Sequence, residues 1–218
     1  MIYSKAFEVQ DYENFDEHSY FTYLYNSWGN KVPFRYEHEH RKWEYGIALK
    51  VIQERDVKTI LDVGGGSSLF SPGLANLDYD VTQVNLDEDD KTIKKQSKFV
   101  GKDIKYIQTD FLTYKGRKKY DVVVCNSVLE HVPDDVEFFK KLLNYVKIGG
   151  VLVLTVDYNS SGKQFSGSHL RTYNRKALVE LINIAHRDGF SPYKNKYEYL
   201  DISNVVYDYT FASLILER

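Results

Sequence analysis

The chain's 218 residues, 43% of them hydrophobic, suffice for one domain with a real core, and its formal charge of -2 excludes a global basic footprint for nucleic acid. A single cysteine, Cys125, excludes an intramolecular disulfide framework and a cysteine zinc cluster. No apolar run approaches a membrane span, and the amino terminus lacks the basic and apolar regions of a secretion signal, so a soluble cytoplasmic protein is expected.

The first 36 residues read as an irregular aromatic cap, with Tyr20, Phe21, Tyr23, Tyr25, Trp28, Phe34 and Tyr36 gathered around Pro33. Thirteen of the first 45 residues are aromatic, against 15% for the whole chain, which exceeds what a helical cover needs. Aromatic faces stack on sugar rings or planar molecules, or pack as a buried lid. Tyr20, Tyr23 and Tyr25 are the candidates for contacting a bound molecule. From about Glu37 to Arg55 the pattern turns helical: Trp43, Ile47 and Val51 recur at i, i+4 and i+8 and predict one inward face. His38 and His40, two apart on that helix, point to different sides, and no His/Asp/Glu group has metal-ligand spacing, so no metal is expected.

Apolar β-prone runs then alternate with helical stretches. Strands are predicted at Thr59–Val63, Asp80–Leu86, Ile104–Gln108, Asp121–Asn126 and Gly150–Val156, and helices at about Leu69–Asn76, Asp89–Val100, Asp134–Val146 and Arg175–Arg187. Two β-rich segments, Tyr193–Ile202 and Asp208–Leu216, follow with no helix between them and predict a closing antiparallel hairpin. Alternating strands and helices indicate an α/β, doubly wound, mostly parallel sheet with helices on both faces. A single domain is expected, organised as cap and helix (1–55), a core (56–190) and the hairpin (191–218).

The strongest chemical signal is Thr59-Ile-Leu-Asp-Val-Gly-Gly-Gly-Ser-Ser-Leu-Phe70, where an apolar strand ending in Asp62 enters a glycine-rich turn. Glycine tolerates positive φ and has no Cβ, so Gly64, Gly65 and Gly66 permit a nucleoside-bearing ligand to approach the backbone at the carboxyl end of a strand. A dinucleotide fingerprint would need glycine at position 69, where Leu69 stands, which weakens the NAD-oxidoreductase reading. The segment resembles motif I of the class I S-adenosylmethionine-dependent methyltransferases, apolar residues followed by D/E-x-G-x-G-x-G. Asp62, Gly64 and Gly66 match, and Ser68 replaces the third glycine. Tyr120–Pro133 resembles the family's fourth strand and "LEH" helix start, Val146-Lys-Ile-Gly-Gly150 its "L-K-P-G-G" turn, and Asp188-Gly-Phe190 its "A-G-F" turn. The resemblance covers about Val57 to Phe190, and it implies a Rossmann-like seven-stranded sheet.

The resemblance also implies roles. S-adenosyl-L-methionine is the implied cofactor, with Asp62, Gly64, Gly65 and Gly66 organising its amino-acid and ribose ends. In Asn85-Leu86-Asp87 the family usually has an acidic residue for the ribose hydroxyls; Asn85 aligns with it, while Asp87 supplies a carboxylate if the strand end is shifted. Asp110 matches the acceptor for the adenine amine and Phe111 the residue against the ring. Asn126 and Ser127 leave the fourth strand beside the cofactor.

A sulfonium methyl group is already electrophilic, so such an enzyme mainly holds a nucleophile in line. A hydroxyl acceptor benefits from a general base, and His131, Asp157 and His169 are the candidates. His169 lies in Gly167-Ser-His-Leu-Arg-Thr-Tyr173, which resembles an H-x-R-x-[YF] segment of methyltransferases of sugars and other small acceptors; there Arg171 would pair with an anionic substrate group. The expected activity is methyl transfer to a small molecule or glycan, with O-methylation of a saccharide as the leading reading. The alternatives are an RNA or protein methyltransferase, disfavoured by charge balance and by Asn126-Ser-Val-Leu in place of an N-P-P-Y motif, and a non-catalytic binding subunit, suggested by Asn85 and Ser68.

Overall fold

The computed structural model describes residues 3–7, 17–29, 31–34, 41–87, 90–162, 170–199 and 209–218; Tyr36, His38, His40 and His169 lie outside them. The first elements are β1 (Ser4–Lys5), α1 (Glu17–Trp28), α2 (Arg41–Gln53), β2 (Thr59–Val63), α3 (Phe70–Asn76), β3 (Asp80–Asn85), α4 (Asp90–Val100) and β4 (Ile104–Gln108). They are followed by β5 (Tyr120–Asn126), α5 (Asp135–Asn144), β6 (Val146–Tyr158), α6 (Arg175–Arg187), β7 (Ser191–Pro192), β8 (Tyr197–Glu198) and β9 (Thr210–Glu217). Seven strands form one mixed sheet in the order β4-β3-β2-β5-β6-β9-β7, in which β9 runs antiparallel to both its neighbours. This is the mostly parallel α/β architecture with antiparallel carboxyl-terminal strands that the sequence predicts. The chain divides into two compact units, residues 12–117 and residues 1–11 with 118–218.

In the first unit, the cap expected to be irregular contains α1. Its apolar face is Phe21, Leu24 and Trp28, all buried, at i, i+3 and i+7. Interleaved tyrosines hide that period, since a tyrosine reads as apolar whether it points inward or, like Tyr23 at 64% exposure, outward. The helix α2 is buried on nearly every side, from Trp43 through Leu49 and again at Val51 and Ile52, rather than on one face as predicted. The reason is α1, which packs along α2 and brings the Phe21 and Tyr45 rings to 5.3 Å. Strands β2, β3 and β4 pair in parallel, with Asp62 opposite Gln83 and Asn85 opposite Gln108. Their carboxyl ends therefore share one edge.

In the second unit, Val122, Val123, Val124 and Cys125 are completely buried, as a strand covered on both faces requires. The strand β6 begins at Val146, opposite Tyr120, so α5 ends at Asn144 instead of running to Val146. The helix α6 has the predicted bounds, and the Asn174 carboxamide caps it by accepting the Ala177 N–H at 2.9 Å. The strand expected at Tyr193–Ile202 is displaced. Ser191–Pro192 pairs with β9, Lys194 and Asn195 then adopt left-handed φ of 57° and 55° and break the run, and Tyr197–Glu198 pairs with β1 in a separate two-stranded sheet. Ser4 fastens β1 to β9, donating its hydroxyl to the Ile215 carbonyl at 3.1 Å and accepting the Ile215 N–H at 2.9 Å.

Candidate functional site

In the unit of residues 12–117, β2 delivers Asp62 and then the glycine turn. Gly64 and Gly66 take φ of 77° and 55°, where L side chains are strained, and the Gly64 N–H anchors the turn on the Val84 carbonyl at 2.8 Å. Gly65 is required for a different reason: the Asp62 carboxylate lies across it, and a Cβ there would sit 2.1 Å from Asp62 Oδ2. Asp62 is 1% exposed; Ser71 donates its hydroxyl to Oδ2 at 2.6 Å, while Oδ1 is buried with no hydrogen bond among the described residues. Burial pushes the Asp62 carboxyl up to about 6, against the Ser71 hydrogen bond, which lowers it. The arrangement holds one buried acceptor open beside a glycine backbone, as a cationic or N–H-bearing ligand needs. Ser68, standing where the motif has its third glycine, accepts the Phe70 N–H at 3.2 Å and so serves the start of α3.

The ends of β3 and β4 supply the next candidates. Asn85 is the last residue of β3, 6% exposed, and its carbonyl accepts the Thr109 N–H at 2.9 Å. Asp87 lies in a bend past the strand, so the side-to-side alternation of a strand does not extend to it; it is exposed, and its carbonyl accepts the Tyr106 hydroxyl. Leu86 between them is 68% exposed. Asp110 is exposed and accepts the Leu112 N–H at 2.8 Å on Oδ1. Phe111 is buried and stacks on Tyr114 with centroids 6.3 Å apart. Of the cap tyrosines, Tyr20 donates its hydroxyl to the Gly73 carbonyl at 2.9 Å, Tyr25 packs edge-on to Phe34 at 5.3 Å, and Tyr23 faces solvent.

The same unit contains two residues that sequence reasoning passed over. Gln83 on β3 and Gln96 on α4 are fully buried, and their side-chain amides donate to carbonyls of the glycine turn, Gly66 and Ser67 respectively. A glutamine in a strand or helix belongs to no motif, so only burial marks them.

In the second unit, the candidates sit at the carboxyl ends of β5 and β6. Asn126 Oδ1 accepts the Thr155 hydroxyl at 3.3 Å, and its Nδ2 is buried without a hydrogen bond among the described residues. Ser127, buried at 6% exposure, adopts φ of 48°, a left-handed conformation unusual for a residue with a side chain, and donates its N–H to the Thr155 carbonyl at 3.0 Å. His131 ends the 3-10 turn Leu129–His131 and is exposed. Asp157 is 4% exposed. Its N–H donates at 3.3 Å to the carboxylate of Glu130, a fully buried residue that the sequence reading left unassigned although it precedes His131. Arg171 is paired with Asp135 at 2.7 Å and donates to the Pro133 carbonyl at 3.2 Å. Tyr173 donates its hydroxyl to the same Asp135 carboxylate at 2.7 Å, and burial followed by the Asp135 charge raises that hydroxyl's pKa.

Residues 61–154 match the family model described as a methyltransferase domain. The chain is 34% identical over 97 residues to the ubiquinone biosynthesis O-methyltransferase of Rickettsia canadensis (strain McKiel), covering 44% of this chain and 41% of that protein. It is 35% identical over 105 residues to the protein of the same name from Hydrogenovibrio crunogenus, covering 47% and 44%. It thus spans less than half the length of these two curated relatives. Among solved structures, the fold resembles 1,6-didemethyltoxoflavin-N1-methyltransferase of Burkholderia thailandensis, with TM-score 0.66 and 17% identity over 92% of this chain and 86% of that one. TehB from Haemophilus influenzae also gives 0.66, with 15% identity over 90% of this chain and 66% of that one. No helix among the described residues is long and apolar enough to cross a membrane.

Proposed function

We propose that the class I S-adenosylmethionine-dependent methyltransferase domain of this chain, to which residues 61–154 belong, methylates a hydroxyl of a small molecule. The observation that carries this reading is the open, buried Oδ1 of Asp62 lying against a turn in which Gly65 has no room for a side chain. S-adenosylmethionine fits such a place, because its amino-acid end bears an ammonium that a buried carboxylate would pair with. In this reading Asp62, Gly64, Gly65 and Gly66 hold the amino-acid end. Asn85 or Asp87 serves the ribose hydroxyls, with Leu86 between them, Asp110 and Phe111 serve the adenine, and Asn126 and Ser127 stand beside the cofactor.

When bound, this cofactor supplies a methyl carbon made electrophilic by its sulfonium. What remains for the chain is to hold an acceptor oxygen in line with the carbon–sulfur bond that would break to leave a neutral thioether, exclude water and take the hydroxyl proton as the oxygen–carbon bond forms. Asp157, His131 and His169 are the proposed groups for that proton. Asp157 is the buried one of the two described, and so the better protected from water. We propose Tyr20, Tyr23, Tyr25 and Arg171 for the acceptor, and a saccharide hydroxyl as its finer identity, in keeping with the aromatic cap and the Gly167–Tyr173 segment. A second reading, an aromatic hydroxyl, is favoured by the curated relatives, which are named as O-methyltransferases of ubiquinone biosynthesis.

Calorimetric titration with S-adenosylmethionine, S-adenosylhomocysteine and NAD, followed by methyl-transfer assays on sugars, nucleotide-sugars and catechols, tests these statements. Binding of the first two ligands alone, with turnover on a sugar, is expected. Turnover confined to catechols would replace the saccharide reading. Binding without turnover on any acceptor would make the chain a non-catalytic subunit, and binding of NAD alone would overturn the reading.

A further inference from the structure

We propose that Gln83 and Gln96 are positioning residues that aim the N–H groups of the glycine turn at the carboxylate of the cofactor's amino-acid end. The proposal rests on the methyl-donor reading above. Three successive carbonyls of the turn are tied down: Gly65 O accepts the Ser68 N–H at 3.3 Å, Gly66 O accepts the Gln83 amide, and Ser67 O accepts the Gln96 amide at 3.1 Å. In a trans peptide the N–H points opposite to the carbonyl of the preceding residue, so the Gly65 and Gly66 carbonyls fix the planes that carry the Gly66 and Ser67 N–H groups. Gln83 aims the Ser67 N–H directly, while Gln96 holds the plane of the Ser68 N–H, which grips the Gly65 carbonyl and so aims the Gly66 N–H. Among the described residues the N–H groups of Gly65, Gly66 and Ser67 have no hydrogen bond, while the neighbouring Gly64 and Ser68 N–H groups do. A run of open backbone donors of this kind is a concavity for an anion.

The amide chemistry argues that the glutamines are there to donate. Each is fully buried, and each leaves its Oε1 buried without a hydrogen bond among the described residues. An unsatisfied buried oxygen is costly, so leucine or methionine would serve packing alone better. The orientation is set by chemistry as well, since a reversed amide would turn oxygen toward carbonyl oxygen. Gln96 does more than hold the turn. The same nitrogen donates to the Pro33 carbonyl at 3.1 Å, so its two hydrogens tie the segment after α1 to Ser67, with the Ser68 carbonyl a weaker third acceptor at 3.5 Å. With Asp62 Oδ1 open for the ammonium and the Gly66 and Ser67 N–H groups aimed at the carboxylate, the turn recognises a zwitterionic amino-acid end.

The test is calorimetry of wild type, Gln83→Met and Gln96→Met with two probes: S-adenosylhomocysteine, and 5'-methylthioadenosine, which has the same nucleoside but no amino-acid end. Losing aim at a charged group should weaken S-adenosylhomocysteine roughly tenfold or more in each variant, while 5'-methylthioadenosine binding is unchanged. A loss shared by both probes would mean a merely structural role, and no loss for either would likewise overturn the proposal. If wild type binds neither probe, the methyl-donor reading has failed instead. Should the variants not fold, the wild-type amide spectrum decides: the Gly66 and Ser67 signals should move with S-adenosylhomocysteine and hold still with 5'-methylthioadenosine. Equal movement with both would overturn the proposal.

Discussion

The two units of the chain differ in which of their polar groups they hold and which they leave open. In residues 12–117 the glycine turn leaves an Asp62 oxygen and a run of N–H groups without partners, although the carbonyls around them are carefully tied. In residues 118–218 Arg171 and Tyr173 both hold the Asp135 carboxylate, and the Glu130 carboxylate accepts the Asp157 backbone N–H. Buried polar groups ordinarily find partners, so the exceptions mark where a ligand is expected to supply them. By that measure, among the described residues, the first unit's opening is the Asp62 oxygen with the N–H groups of its turn, whereas the second unit's is Asn126 Nδ2. The second has already used much of its bonding capacity to hold its own loops.

The comparison breaks most visibly at Asp62. Its ordinary pKa of 3.8 is pushed up to about 6 by burial. Between those two values the unfolded chain has released the proton and the folded chain still holds it, so this group makes stability fall as pH rises, and the loss is complete above about 6. Asp62→Asn without ligand should therefore be more stable than wild type at pH 8, by at most about 3 kcal/mol, and lose that advantage by pH 4. Binding should show the reverse order: wild type takes S-adenosylmethionine more tightly as pH rises through about 6, and Asp62→Asn does not. Urea midpoints and calorimetry across that range measure both. A variant less stable than wild type at pH 8 would mean that the Asp62 carboxylate is already satisfied.

Gly65→Ala comes next. The added Cβ would lie 2.1 Å from Asp62 Oδ2, against a carboxylate held by Ser71 rather than a free chain end. Overpacking of this kind costs about 1–3 kcal/mol, and displacing Asp62 should also abolish S-adenosylmethionine binding. A variant with a wild-type urea midpoint and wild-type affinity would show that the turn relaxes freely and is not preorganised.

How much of this was legible in the sequence follows the same division. The alternation of strands and helices predicted the sheet, and the α6 bounds follow from Asn174 and a strong 3.6-residue period. The glycine turn was legible because only glycine fits there. Asp62 was named, but only the folded arrangement shows that Ser71, nine residues on, bonds one of its oxygens and leaves the other buried and open. Gln83 and Gln96 were invisible because their meaning arises only when β3 and α4 reach the turn, 17 and 29 residues away in sequence from the carbonyls they hold. The helix α1 was missed where tyrosines erased the polar–apolar contrast. The strand β1, two residues long, has too few positions to show alternation. Arg171 was legible as a cation beside a candidate site, but Asp135, its partner, lies 36 positions away at the start of α5.

That pairing sets a smaller test. Arg171 and Asp135 are 16% and 23% exposed in their side chains, so their 2.7 Å contact is only partly screened. A double-mutant cycle with Arg171→Ala and Asp135→Ala should return a coupling of about 1–2 kcal/mol in urea unfolding, with S-adenosylmethionine affinity unchanged. If the coupling is absent and Arg171→Ala instead raises only the KM of an acceptor, the second unit is also built to receive a charged ligand, and the contrast between the units disappears.

The smallest effect on stability is expected at Tyr23. It is 64% exposed on α1, whereas Phe21 and Leu24 beside it are 1% exposed. Truncating a solvent-facing side chain away from caps and networks changes stability by no more than about 0.5 kcal/mol, so Tyr23→Ala should melt as wild type does. Its value lies in separating two uses of the aromatic cap. A phenol ring that stacks on an acceptor would reveal itself as a raised acceptor KM with unchanged affinity for S-adenosylmethionine, because the stacked face contributes only when that acceptor is present. Phe21→Ala gives the opposite profile: it removes a ring packed against Tyr45 and Phe70, and should lower stability by about 3–5 kcal/mol whichever acceptor is used. Identical kinetics for Tyr23→Ala and wild type on every accepted substrate would confine the cap's aromatic content to packing, and would leave the open groups of the glycine turn as the first unit's sole argument for a bound ligand.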